Sequence, residues 1–360
     1  MRSRSDQVER NSGERTMPVR RSRIQEAVFA GILFLLAVLC SGVIGEVGLR
    51  MLGYKGVPES LIANIRPIDD PVLNWRYLPG SEVQMGKVTR KYNKAGFRDV
   101  DHDIQKASGI KRVLVVGDSV TEASDVEWEE IFSSRIQSGL GRSYEVVTLA
   151  MGGLNTPQEV HLLEKEGLAY QPDLIVLNFV LNDCDFFTEY NATRRYQAEK
   201  DSVIGVFGLT VNPNFKRTLK SSALVYFLKQ RIEHLVGLMS GKEEKGYFDA
   251  LWSKPENRQK IMDGFDRLQG VSKEWSIPVL VIIWPILTEF NQYKFEPIHQ
   301  WIRTEAEKRG VQTLDLLPEF AKTSYRDLQV TAEDNIHPNA RGHKIGADAF
   351  LDWVHQGHFH

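Results

Sequence analysis

Gly117-Asp118-Ser119-Val120 follows directly on a short apolar run, Arg112 to Val116, and far downstream Asp334-Asn335-Ile336-His337 carries an acid and an imidazole three residues apart. A serine at the carboxyl end of a strand becomes a nucleophile when an imidazole takes its proton, and a carboxylate beside that imidazole fixes its tautomer. Two segments between them add to the set. Leu149-Ala150-Met151-Gly152-Gly153-Leu154-Asn155-Thr156-Pro157 has paired glycines, which let a backbone N–H approach a ligand with no side chain in the way. Phe179-Val180-Leu181-Asn182-Asp183 offers an asparagine, whose amide supplies N–H to a tetrahedral oxyanion without a titratable charge. Together these types suit acyl transfer. Each also has a plainer reading: Ser119 as a helix cap, the glycines as an ordinary strand-to-helix turn, Asn182-Asp183 as a strand-ending turn, His337 as a solvated loop residue. Placement at one sheet edge would favour the chemistry.

That placement depends on the elements around the four loops. Arg112 to Val116, Tyr144 to Leu149, Asp173 to Leu181, Pro278 to Trp284 and Val311 to Leu316 are short, rich in Val, Ile and Leu, and do not alternate with polar residues. Strands covered on both faces have that pattern. Val126 to Leu140, Pro157 to Leu168, Pro255 to Trp275 and Gln292 to Arg309 have apolar residues at helical spacing, and Asn339 to Val354 closes the series. The alternation and the right-handed crossover rule predict an α/β chain: a doubly wound, mainly parallel five-stranded sheet with helices on both faces.

With 360 residues, 42% hydrophobic and 26% charged, the chain can bury one sizeable core with an appendage or two small ones. A net charge of -2 gives no hint of a nucleic-acid surface. Only Cys40 and Cys184 occur, and Cys40 lies in an apolar run, so a disulfide is not expected and a zinc site built on thiolates is excluded by count.

The N-terminus is a different polymer. Ala27 to Gly45 is a run of 19 uncharged residues, near the ~20 that cross a bilayer as a helix. Arg10, Arg15, Arg20, Arg21 and Arg23 precede it and only Arg50 and Lys55 follow, so the positive-inside rule keeps the N-terminus cytoplasmic and puts the body of the protein on the far side. A cleaved signal peptide is the rival reading, with Ser41 to Gly45 a poor cleavage site; lipidation at Cys40 is opposed by the bulky Leu39, and a buried soluble helix by the arginine cluster. The first twenty residues read as disordered. Residues 57–110, with Trp75, Tyr77, Tyr92 and Phe97 as aromatic anchors, read as a cover leading into the first strand. Cys184 to Lys254 is an insertion after the third strand with an expected helix from Leu219 to Gly241, placed to serve as a lid or substrate-shaping cap. His355, His358 and His360 read as a frayed, exposed end.

In order, Ser119 in Gly-Asp-Ser, Gly153 in a second block, Asn182 in a third and His337 with Asp334 in the last resemble the four-block pattern of the SGNH or GDSL-type esterases and acylhydrolases. The resemblance spans about Asn93 to Phe350, and Asn93-Lys94-Ala95-Gly96-Phe97-Arg98-Asp99 looks like a segment ahead of the first block in membrane-anchored bacterial members. It implies a flavodoxin-like three-layer α/β/α sandwich, here preceded by one transmembrane helix. It also implies Ser119 as nucleophile, His337 as base, Asp334 as its orienter, and the Ser119 and Gly153 amides with the Asn182 side chain as oxyanion donors, with no metal and no cofactor. One position departs from the pattern: Val180 stands where the third block usually has glycine, which predicts a less open backbone there.

The expected organisation is a basic cytoplasmic tail (1–26), a transmembrane helix (27–45), a linker and cover (46–110), an SGNH hydrolase-like domain (111–354) with its insertion (184–254), and a tail (355–360). Such a layout resembles proteins that add or remove O-acetyl groups on exported polysaccharides, so the expected partners are an acyl ester or acetylated glycan outside the cytoplasm, in the periplasm if the cell is Gram-negative, and the membrane. Oligomeric state is left open. Two other classes stay open: a metal-dependent phosphoesterase using Asp118, Asn182, Asp183 and His337, against which no Asp-x-His pair stands near the first strand, and a non-catalytic SGNH-like component of polysaccharide modification or assembly.

Overall fold

The structure, a computed structural model, describes residues 23–52, 54, 64–85, 88–123, 125–185, 204–206, 209–211, 221–225, 227–228, 231–232, 246–332 and 334–359. Helix α1 (Arg23–Met51) runs unbroken for 29 residues with none buried. Its uncharged stretch is about 28 Å long at 1.5 Å per residue, close to the roughly 30 Å of a bilayer's hydrocarbon core. That length and composition suit a membrane span and, so near the N-terminus, a signal sequence alike.

Two antiparallel hairpins follow: β1 (Ile65–Pro67) with β2 (Trp75–Tyr77), and β3 (Glu82–Met85) with β4 (Val88–Lys91). Trp75, Tyr77, Tyr92 and Phe97 are all buried in the main core, so this region is fastened by aromatic burial rather than by an extended ladder.

The central sheet is made of β5 (Lys111–Gly117), β6 (Tyr144–Ala150), β7 (Leu174–Val180), β10 (Val279–Trp284) and β11 (Gln312–Asp315), in the order β6-β5-β7-β10-β11 and parallel throughout. β7 and β10 are buried at every residue, which is why they read as unbroken apolar runs. β8 (Ile204–Val206) and β9 (Leu209–Val211) form a separate hairpin inside the insertion.

The helices are α2 (Ser119–Glu122), α3 (Phe132–Leu140), α4 (Thr156–Lys165), α5 (Tyr247–Trp252), α6 (Pro255–Trp275), α7 (Glu296–Glu307), α8 (Leu317–Phe320) and α9 (Ala340–Trp353). α3 packs on α9, and α4 on α6, giving a helical layer on each face of the sheet.

Four expectations change in detail. The predicted helix from Val126 breaks at Ile131, whose extended backbone buries its side chain and separates a 3₁₀ turn at Trp128–Glu130 from α3. The one from Pro157 ends at Lys165, and a 3₁₀ turn follows at Gly167–Tyr170. The one from Gln292 starts at Glu296, with Pro297 in its first turn. The C-terminal end is not frayed: Val354–His358 winds a π turn, the His358 ring stacks on Trp353 at 5.3 Å, and Phe359 is buried beside Tyr144, because an apolar ring near a sheet edge gains by leaving water. His360 and most of the expected helix from Leu219 to Gly241 lie outside the described residues, as do the first twenty.

Candidate active site

The sheet order reverses beside β5, which leads to β6 on one side while β7 flanks it on the other. Open α/β sheets bind ligands outside the carboxyl ends of the strands at such a point. Gly117 ends β5 in a close approach: a Cβ there would stand 2.0 Å from Thr121 Oγ1 and 3.2 Å from Asn178 Cβ. A larger residue would push α2 off the strand.

Asp118 caps α2, accepting the Val120 N–H at 2.8 Å. It is fully buried, and burial pushes its carboxyl above the ordinary range against the pull of its hydrogen bonds and of His337. Ser119 is then the first residue of α2. Its Oγ lies 2.9 Å from His337 Nε2 and 3.3 Å from Asp118 Oδ2.

His337 reaches this point from a loop pinned at several places. Asn339 caps α9 through the N–H groups of Arg341 and Gly342, and the His337 carbonyl accepts the Val330 N–H at 3.3 Å. Asp334 Oδ1 accepts the N–H groups of Ile336 and His337, both at 2.9 Å, and its Oδ2 takes the His337 Nδ1 hydrogen bond at 2.8 Å. Burial alone would depress the imidazole; the hydrogen bond to Asp334 and the charge behind it outweigh that, so His337 lies above its usual value. Burial likewise opposes ionisation of Asp334, and pairing with His337 overcomes it, holding the carboxyl below its usual value.

Asn182, just past β7, donates from Nδ2 to Asp118 Oδ2 at 3.1 Å, so one carboxylate oxygen joins the first and third loops. The second loop lies alongside: a Cβ on Gly152 would be 3.7 Å from Ser119 Cβ. Gly153 has φ +82°, a left-handed backbone that favours glycine, with open space where a side chain would point. Ser119, Asn182, His337 and Asp334 are thus linked by hydrogen bonds, and the Gly152-Gly153 turn adjoins them.

Val180 sits in regular strand geometry in register with Trp284, its side chain buried, its N–H and C=O both bonded to Asp183 at 2.9 Å. Nothing at that position demands glycine. Under this turn Glu159 and Asp183 are fully buried, and burial first, with neighbouring carboxylate charge second, pushes both well above the ordinary carboxylate range. Among the described residues no three His, Cys, Asp or Glu side chains converge to hold a metal ion.

Glu122, the last residue of α2, carries a part that no local pattern revealed. It is buried, and its carboxylate accepts from Tyr77 Oη and Tyr92 Oη at 2.8 Å each and from the Gly152 N–H at 2.7 Å, with Arg90 Nη1 3.7 Å away. Burial and the Glu122 charge raise both phenols well above their usual value. Arg98, also buried, donates to the carbonyls of Glu122, Ala123 and Val126, closing the carboxyl end of the same turn. The cover thereby holds the Ser119 turn and the glycine loop in one register. Glu122→Gln, which leaves one donor facing donors, is expected to cost about 2 kcal/mol of stability. Displacing the glycine loop should lower kcat about tenfold or more while KM changes little; urea unfolding and steady-state ester hydrolysis check both.

Solved structures similar to this chain include an acetyl xylan esterase, AlAXEase (16% identity, 68% of this chain and 99% of that one, TM-score 0.41). A catalytic mutant of Axe2, an acetylxylan esterase from Geobacillus stearothermophilus, is similar at 16% identity over 69% of this chain and 95% of that one, TM-score 0.41. TesA is similar at 13% identity over 68% and 98%, TM-score 0.41. Likenesses this distant say nothing about substrate. No protein of curated function matches the sequence. The sequence profile of the GDSL-like lipase/acylhydrolase family matches residues 115–345, well over half of the chain and all four loops of the site, and the chain therefore belongs to that family of carboxylic ester hydrolases.

Proposed function

We propose that the protein transfers acyl groups through a covalent ester on Ser119, acting outside the cytoplasm on O-acetyl groups of a carbohydrate. The observation that carries the chemistry is the unbroken relay from Ser119 Oγ through His337 to Asp334, at 2.9 and 2.8 Å. His337 Nε2 takes the hydroxyl proton as Oγ attacks the ester carbonyl. The oxyanion is received by the Ser119 and Gly153 N–H groups and the Asn182 amide hydrogen not given to Asp118, each such donor contributing roughly 3 kcal/mol. As the tetrahedral intermediate collapses, the carbonyl–alkoxy bond breaks and the leaving oxygen takes the proton back from His337. Water or a sugar hydroxyl then loses its proton to His337, attacks the acyl carbon and frees Ser119.

The location rests on α1 as a span and on its arginine-rich N-terminal flank, which keeps that end cytoplasmic. A single-pass anchor with its domain outside points to exported polysaccharide as the acetylated partner. A chromogenic acetyl ester offered with an acetyl-free oligosaccharide tests the reading. Acetate release identifies an esterase and acetyl movement onto the sugar an O-acyltransferase. Neither product, with no labelling of Ser119 by a fluorophosphonate, would leave a non-catalytic scaffold.

A further inference from the structure

We infer that the described residues of the segment 221–232 (221–225, 227–228 and 231–232), within the insertion between β9 and α5, lie on the bilayer surface beside the outer end of α1, with Val225, Leu228 and Ile232 against lipid. This rests on the reading of α1 as a membrane span.

The segment is fastened to α1 where the apolar run stops. Glu46, the first charged residue after that run, accepts from Ser222 Oγ at 2.7 Å and from the N–H groups of Ala223 and Leu224 at 3.1 and 2.8 Å. A carboxylate there satisfies donors that a helix start leaves open. Arg50 completes the clasp, donating from Nε to Glu46 at 2.6 Å and from Nη2 to the Ser221 carbonyl at 3.0 Å. Leu224 closes on Gly45, its methyl carbons 3.4 Å from where a Cβ would stand, and Phe227 meets Tyr54 edge-on at 5.4 Å. The segment therefore sits at the depth where a span leaves the hydrocarbon.

Leu224 and Phe227 take the face toward α1. Val225, Leu228 and Ile232, spaced i, i+3, i+7, form a second apolar stripe and are 38, 49 and 59% exposed. At the same depth α1 exposes Val43, Ile44 and Val47. The sequence around the stripe is basic, with Lys216, Arg217, Lys220, Lys229 and Arg231. Exposed apolar residues within a basic stretch of sequence are the composition of a segment lying in a membrane interface. Three side chains are far too little for a stable protein interface, which needs about 800 Å² from each partner, whereas lipid next to a span needs no further area.

The full-length protein, with Cys40→Ser and buried Cys184 left in place, is labelled with a nitroxide at Val225→Cys, Leu228→Cys or Ile232→Cys. It is placed in nanodiscs of phosphatidylethanolamine and phosphatidylglycerol, with Leu36→Cys in α1 as the control. Collisions with oxygen are expected to exceed those with a water-soluble nickel chelate at all three positions, as at residue 36. Dominance of the chelate at the three, with residue 36 in lipid, overturns the inference alone; so does low access of both reagents, which means protein covers the stripe. An aqueous residue 36 overturns the span itself and this inference with it.

Discussion

Ser119→Ala is expected to lower kcat/KM for an acetyl ester by about 10⁴ to 10⁶ and to leave the melting temperature almost unchanged. The hydroxyl is only half-buried and its two contacts, to His337 and Asp118, are reached at the end of a turn whose cap, Asp118 to Val120, does not involve the side chain. Losing it therefore removes the acyl-enzyme route while costing less than about 1 kcal/mol of stability. Circular dichroism beside single-turnover hydrolysis measures both. A variant retaining a tenth or more of the rate would show that the ester is cleaved without an acyl intermediate on this residue.

The second large effect concerns pH. Neutral imidazole is the base, and Asp334 holds His337 above its usual value, so the acid limb of kcat/KM is expected to turn over above about pH 6.5. Asp334→Asn removes the charge that raises the imidazole. It should move that limb to lower pH and cut the plateau by about 10⁴, because an amide at this position no longer selects the productive tautomer.

Stability follows the same pair with opposite signs. His337, raised in the folded state, contributes fully below its unfolded value, and that contribution is lost as pH rises through its folded value. Asp334, lowered in the folded state, contributes above its unfolded value and loses it as pH falls through its folded value. The melting-temperature gap between wild type and Asp334→Asn should hence be widest between about pH 4 and 6.5. A gap independent of pH would mean that the two groups are not paired in solution.

The glutamate clasp shows where local reading ends. Glu122 follows Ser119 by three residues, yet its partners are Tyr77, 45 residues earlier, Tyr92, 30 earlier, and the Gly152 N–H, 30 later. Periodicity carries no information on such pairs. Tyr77 and Tyr92 were legible as buried aromatics and their hydroxyls were not. In the same way the apolar run at 27–45 announced a long helix, while the docking of Ser222 to Leu224 on Glu46, about 177 residues apart, had no local sign.

Strand type, helix type and their alternation could be read along the chain because a parallel strand buried on both faces must be apolar at nearly every residue, and a helix covering it must repeat its apolar positions every three or four. Those are local demands, as is the need for glycine at Gly117 and for a polar residue at each loop. Which loops meet is another matter. The 2.9 Å approach of His337 to Ser119 spans 218 residues, and it exists because the sheet order reverses beside β5 and the crossovers return every carboxyl end to one edge. The same closure put the Phe359 ring against Tyr144. Contacts of this kind come from packing in three dimensions, where the gain from excluding water and satisfying buried polar groups is shared among segments that no short window contains.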